Sequence, residues 1–463
     1  KTGPDSYAHY QTQDTVPHGK VGIFVTRLIM PETMEDEFFI NISDKIRAQV
    51  IPWPANLLAA RDRGLVLLDA VKFYERDAFT PTRLIDARGR DVDENGVSWM
   101  DHYRRGEILF VPARADDAQD HGYFLHTKVK GGMPTATGKL MAKARVWYCG
   151  AGIAQGRIPH EAGTLAFIET ALAQMRAKYG DIPTEIANAL YPQEMKSGLS
   201  RLLDSGVETL IVSAPMAIYS GFEEFNSSFA KTFKYVDEWK AANPNRRVQI
   251  IIAPPMGQFE ELGQAYLAML KDRLETLPRE ASVKVAITTH GMPWRQFPNE
   301  PWLTFAPAYL DDLQVRAEAL VAGYGFARTA VVRAQDIGAE TKTDPENAYL
   351  STNEAIKQGI AEAYDYVVTL PVEFFAENTD TLMAHALYKF NGVGDYSVYQ
   401  PIDYADWSVP FSRTFQAGST IVIYNGVPVG TYARHVSEAL FLSLDGILAK
   451  SAAAPDAVSS VAE

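Results

Sequence analysis

The stretch VKVAITTHGMPW, residues 283–294, decides how the chain is read. Val283, Val285 and Ile287 form an apolar, β-branched run that ends in Thr288-Thr289-His290-Gly291-Met292-Pro293. A strand buried on both faces of a parallel sheet reads as a near-continuous apolar run, and Gly-x-Pro closes it with a turn. His290 is therefore expected at the carboxyl end of a central strand, the edge where open α/β sheets collect their ligands. An imidazole there can accept a proton or bind a metal near neutral pH. The plainer alternative is a satisfied polar residue that caps the strand.

Working outward, the chain alternates strand and helix from Arg145 onward. RVWYCGAG leads to a helix from His160 to Tyr179, EIANALY to one around Met195 to Asp204, and VETLIVSAPM to one near Phe222 to Ala242. The strand RVQIIIAPP follows. A second series begins at VKVAITTHG and takes in a helix from Pro307 to Gly323, RTAVVRAQDIG, a helix from Asn353 to Tyr364, YVVTLPVEFF and a helix from about Thr379. The hairpin STIVIYNGVPVGTYA, turning at Asn425-Gly426, and a helix from Val436 to Lys450 complete it. Such βα alternation implies parallel sheets covered by helices on both faces.

The two series read as one unit used twice. LIVSAPMAIYSGFEE (210–224) aligns without gaps with YVVTLPVEFFAENTD (366–380), setting Pro215 on Pro371, Ser213 on Thr369 and Glu224 on Asp380. Cys149-Gly150-Ala151-Gly152 is matched with Thr288-Thr289-His290-Gly291, so Ala151 stands where the second copy has His290. The chemistry is then expected in the second copy alone.

The expected fold class is α/β: two duplicated parallel-sheet halves, 145–282 and 283–450, facing a cleft. Before them come an extended lead-in (1–19) and a β-rich module (20–144), and a flexible tail (451–463) follows. The β-rich module is read from short, partly alternating segments such as VGIFVTRLIM, GEILFVPAR and YFLHTKVKG between turn-forming residues. At 463 residues the chain is too long for one ordinary core.

The net charge of −13 argues against a nucleic-acid partner, and no segment has the ~20 apolar residues of a membrane span. The single cysteine, Cys149, excludes an internal disulfide and a cysteine-built zinc site. Neither GGMPTATGK (131–139) nor the glycines at 150–156 have nucleotide-loop spacing, so no nucleotide cofactor is expected. The chain starts at Lys1, which leaves a cleaved leader and a truncated start both open. A soluble protein of cytoplasm or periplasm is the expectation.

A second chemical segment is LPVEFFAENTDTLMAHALYKF, residues 370–390, with Glu373, Glu377, Asp380 and His385. Glu377 and Asp380 are three apart and share a helical face. They follow a parallel strand at its carboxyl end, as His290 does. An imidazole facing two carboxylates can bind a divalent metal, move protons, or both. The same acids also suit the first turn of a helix capped by Asn378 or Thr379. His385 lies off that face and is left out of the site.

Thr288-Thr289-His290-Gly291-Met292-Pro293, followed by Glu377-Asn378-Thr379-Asp380-Thr381-Leu382, resembles the class II chelatases, the group of ferrochelatase and the sirohydrochlorin cobalt and nickel chelatases. The resemblance covers residues ~145–400 and leaves out the first third. It implies two α/β halves around a tetrapyrrole into which Fe²⁺ or Co²⁺ is inserted. His290 would be metal ligand and proton acceptor, Asp380 its acidic partner and Glu377 an auxiliary carboxylate. Met292, Trp294 and Glu224 would belong to the substrate cleft. The chain departs from the family in having Asp380 for Glu, Asn378-Thr379 for a His-apolar pair, and Ala384 where a further acid is frequent. These departures keep two other readings open. One is a metal- or tetrapyrrole-binding or structural protein without turnover, its β-rich module meeting a protein partner or a second copy. The other is a metal-dependent hydrolase or lyase using the same residues.

Overall fold

The computed structural model describes residues 16–27, 160–189, 192–220, 224, 228–290, 302–336, 350–378, 381–382, 389–390, 392–393 and 406–453, with backbone alone at 192, 302–304 and 451–453, and the backbone of 108–112 and 123–127. The chain divides into two compact units. One is Lys1–Ile29 with Ala162–Ala376 and Ser408–Glu463; the other is Met30–Glu161 with Glu377–Trp407. The elements in chain order are β1 (Val21–Arg27), β2 (Ile108–Pro112), β3 (Tyr123–Thr127), α1 (His160–Tyr179), β4 (Thr184–Asn188), α2 (Pro192–Asp204), β5 (Thr209–Ser213), α3 (Ala230–Ala242) and β6 (Gln249–Ile252). They continue with α4 (Glu260–Glu275), β7 (Ser282–His290), α5 (Trp302–Gly323), β8 (Arg328–Asp336), β9 (Leu350–Ser351), α6 (Thr352–Ala361), β10 (Tyr366–Pro371), β11 (Arg413–Ala417), β12 (Thr420–Tyr424) and α7 (Ala433–Ala453).

The first unit holds two sheets. One is wholly parallel, in the order β4-β1-β5-β6. Its member β1 corrects the sequence reading, which put Val21–Arg27 in a β-rich module. It pairs in parallel with β4 (Ile23↔Thr184) and β5 (Val21↔Thr209). The physical reason is burial on both faces. Ile23 and Val25 enter one apolar cluster and Phe24 another, all three at 0% exposure, which a half-solvated antiparallel strand would not show.

The second sheet has the order β11-β12-β10-β7-β8-β9, parallel throughout except for β11 on its edge. Val283, Val285 and Ile287 of β7 join the apolar cluster that also contains Ile23 and Val25. The buried stripe Leu262, Tyr266, Leu270 and Leu274 of α4 lies in that cluster too. On the other face Ala286, Ala334 and Ala355 are small, which lets α6 lie close to the strands. When the main strands of each sheet are numbered in chain order, β1, β4, β5, β6 and β7, β8, β10, β12, both sheets read 2-1-3-4. In that order β7 corresponds to β1; Cys149-Gly150-Ala151-Gly152 lies outside the described residues.

The expected turn at Asn425-Gly426 is also corrected. The hairpin joins β11 to β12 through Gly418, where φ is +63°, with Ala417 paired to Thr420. Gly426 instead follows β12 at φ +71°, where a Cβ would come within 2.1 Å of the Phe411 carbonyl oxygen. The glycine is needed for that close approach rather than for a hairpin. Helix α4 is not anticipated from the sequence.

Of the second unit, β2 and β3 form an antiparallel pair with Ile108 opposite Thr127, as expected for those two segments. Among the described residues no helix is long and apolar enough to cross a membrane.

Candidate functional site

His290 is the last residue of β7, a strand flanked by β10 on one side and β8 on the other. Eight buried residues precede it and His290 itself is half-buried, so the apolar run delivers its imidazole to the carboxyl edge of the sheet. Parallel registry sets Thr288 beside Pro371, Thr289 beside Gln335 and His290 beside Asp336. Registered neighbours point to the same face of a sheet. His290 and Asp336 therefore share the face covered by α6.

Asp336 is 3% exposed, and its Oδ1 accepts a 2.5 Å hydrogen bond from the Thr352 hydroxyl at the start of α6. That start is fixed by a capping box: Ser351 Oγ accepts from the Glu354 N–H at 3.1 Å, and the Glu354 carboxylate accepts from the Ser351 N–H at 2.9 Å. The helix cap thus positions the hydroxyl that holds the carboxylate beside His290.

From the opposite side comes the β10 exit. The ladder continues one step, with the Val372 N–H donating to the Thr288 carbonyl at 2.9 Å. Glu373, 3% exposed, then accepts the His290 N–H on Oε2 at 2.6 Å. Two tyrosines pin this loop: Tyr309 of α5 donates to the Val372 carbonyl at 2.7 Å, and Tyr266 of α4 to the Phe374 carbonyl at 2.8 Å. Burial pushes both phenols well above their ordinary range, and the nearby Glu373 charge adds to the shift. The Phe374 ring meets the imidazole edge-on, 6.3 Å between centroids.

Two polar side chains at this edge have no hydrogen-bond partner among the described residues. Thr288 Oγ1 and both amide atoms of Gln335 are buried, each on a residue at 0% exposure. Unpaired buried amides are rare because desolvation costs more than packing returns.

Beyond the end of β5, Glu224 is 1% exposed and its Oε2 accepts from the Ser220 N–H at 2.6 Å and the Ser220 hydroxyl at 2.9 Å. That carboxylate closes its own turn. Tyr219 beside it donates to the Ala253 carbonyl at 2.9 Å, and burial, then the Glu224 charge, raise its phenol. The Phe305 ring of α5 stands edge-on to Tyr219 at 5.9 Å.

In the second unit, Asn378 and Thr381 form a reciprocal cap. The Asn378 N–H donates to the Thr381 hydroxyl at 2.9 Å and the Thr381 N–H to Asn378 Oδ1 at 3.0 Å. Glu377, 4% exposed, accepts from the Thr381 hydroxyl at 2.5 Å. Asn378 is thus one of the two residues expected to cap there. Asp380, Met292, Trp294 and His385 lie outside the described residues. Among the described residues no three His, Cys, Asp or Glu side chains come together in a way that could hold a metal ion.

Sequence reasoning places His290 but gives no role to Asp336, Gln335 or Glu373. The first two are visible only through the β7–β8 register. Glu373 lies in the quoted segment, and its pairing with a peptide N–H leaves no mark in the sequence.

No family model matches the chain, and no curated protein matches it. Among solved structures it is similar to SirB from Bacillus subtilis with Fe³⁺, at 13% identity over 63% of this chain and 90% of that one, TM-score 0.37. It is also similar to a chain from Silicibacter pomeroyi named as a putative branched-chain amino acid ABC transporter, at 14% identity over 51% of each chain, TM-score 0.18. Likenesses this low carry no argument about activity.

Proposed function

We propose that the chain is a chelatase-like enzyme that inserts a divalent metal ion, Fe²⁺ or Co²⁺, into a tetrapyrrole. The two series of strands and helices would be copies of one ancestral half, and the second copy would carry the reaction. The observation that supports this most is the position of His290 at the carboxyl end of β7, with Asp336 in register on the same face. The shared 2-1-3-4 strand order fits the duplication.

In this reading the metal arrives as a substrate. The neutral His290 imidazole is a borderline donor suited to both ions, and once the metal has passed to the ring nitrogens it can take one of the two pyrrole protons released, the second going to a carboxylate or to solvent. Asp336 would orient the imidazole. The motif adds Asp380 as acidic partner, Glu377 as a second carboxylate, and Met292, Trp294 and Glu224 as cleft residues, each to be tested by substitution. The test is an insertion assay with the purified chain, pairing Fe²⁺ or Co²⁺ with protoporphyrin or sirohydrochlorin and following the macrocycle's absorbance. Turnover with one pair is the expected result. Spectra that stay flat for every pair would turn the reading toward binding without turnover.

A further inference from the structure

We infer that Glu373 is a positioning residue whose buried carboxylate sets His290 to take a divalent cation. The inference deepens the proposed reading and rests on it for the identity of the cation as substrate. It starts from the loop 372–374, where three successive residues are tied to three different elements. Val372 and Phe374 give their carbonyls to Tyr309 of α5 and Tyr266 of α4, while the Glu373 carboxylate takes the peptide N–H of His290 at the end of β7. The carboxylate is a separate device, and it reaches the one residue that carries the proposed chemistry.

A neutral acceptor would serve to hold a strand end. A carboxylate 3% exposed is costly to bury, and its 2.6 Å bond to the N–H has the length of a charge-assisted contact. What a charge adds over an amide is a field, and a negative field at the histidine's own peptide favours a cation on its imidazole. The duplicated segment offers an internal comparison. In the gapless alignment of 210–224 with 366–380, Glu373 falls on Ala217. At Ala217 the tie is made by backbone, its carbonyl accepting the Gly257 N–H at 2.9 Å, and the carboxylate of that segment, Glu224, closes on Ser220 further along. At the position of Glu373 the first copy thus does without a carboxylate, and an acid stands at that position only in the copy that has the histidine.

The test is Co²⁺ binding, followed through the visible absorption of the histidine-bound ion, in wild type, Glu373→Gln, Glu373→Asp, Glu373→Ala and His290→Ala. Glutamine keeps the acceptor and the shape and removes only the charge; aspartate keeps the charge. Glu373→Gln is expected to weaken Co²⁺ binding about 10- to 100-fold with a thermal midpoint close to wild type, Glu373→Asp to recover most of the affinity, and Glu373→Ala to lose the most. Wild-type affinity in Glu373→Gln would overturn the inference, leaving the residue as a strand-end anchor. So would Co²⁺ binding that survives His290→Ala unchanged. If Glu373→Gln fails to fold, the Glu373→Asp comparison with wild type decides: affinity lost despite the retained charge contradicts the inference. A wild-type chain that binds Co²⁺ through His290, with the expected dependence on the Glu373 charge, yet never inserts it into a macrocycle would contradict the chelatase reading alone.

Discussion

At the scale of single residues, the carboxyl edge of β7 and β8 holds polar groups where packing alone would put apolar ones. Gln335 is the clearest case, with both amide atoms buried and unpaired among the described residues. Replacing it by methionine, similar in volume, removes two desolvated atoms at little packing cost. Gln335→Met should therefore raise the free energy of unfolding by about 1–3 kcal/mol, read from urea denaturation; a loss of stability would show that the amide is satisfied in solution. At this scale the sequence is most legible where one residue announces a strand end, as His290 does after its apolar run. It is silent on Asp336, because a side chain's neighbour in the next strand depends on a register that no local pattern encodes.

The elements show why some boundaries can be read and others not. The sequence predicts helix α1 from His160 to Tyr179 and the helix is found there, because buried Phe167, Ile168, Ala171, Leu172 and Met175 recur at helical spacing. The Asn425-Gly426 pair misleads, since the same dipeptide that makes hairpin turns also permits the close approach to Phe411. On α6, a Cβ at Gly359 would lie 2.5 Å from Val367 Cγ2 on the second sheet. Gly359→Ala gains about 1 kcal/mol of helix propensity but overpacks a stiff β-branched contact at about 1–3 kcal/mol, so the net change in thermal midpoint should be downward. A rise would mean that α6 shifts freely on the sheet. At the start of β7, the Asp365 carboxylate accepts the Ser282 N–H at 2.7 Å and hydroxyl at 2.8 Å, which hold it below its ordinary value of 3.8. A lowered folded value means that its contribution is complete above the unfolded pKa and lost as pH falls through the folded one. Wild type should therefore exceed Asp365→Asn in thermal midpoint at pH 7, with the gap closing below about pH 4; a gap that persists at pH 2 would contradict this.

For the first unit as a whole, one apolar cluster joins both sheets: Ile23, Val25, Ile211 and Ile251 from the first, Val283, Val285, Ile287 and Leu370 from the second. Asp445 of α7 adds a polar tie to α1, accepting from Lys178 at 2.6 Å and Tyr179 at 2.7 Å. A shared core predicts that the two sheets unfold together. Val25→Ala and Ile287→Ala, each removing buried methyl groups at a cost of about 1–5 kcal/mol, should shift one common urea transition; two separable transitions, each moved by only one variant, would contradict it. The order of strands explains what the sequence conceals at this scale. The alignment of 210–224 with 366–380 matches β5 to β10, in agreement with their places in the two sheets. But β1 lies far ahead of the rest of its sheet in the chain, with residues 30–161 assigned to the other unit. A reading that expects consecutive elements to be neighbours matches β7 with the stretch at Cys149, which lies outside the described residues, whereas the strand order matches it with β1.

Whether His290 carries the proposed reaction is decided by the rate of metal insertion in wild type and His290→Ala, side by side, with the metal and macrocycle pair that wild type turns over. A loss of at least about 100-fold in kcat is expected, with the His290→Ala chain folded as wild type by circular dichroism. Insertion at the wild-type rate without the imidazole would contradict that expectation.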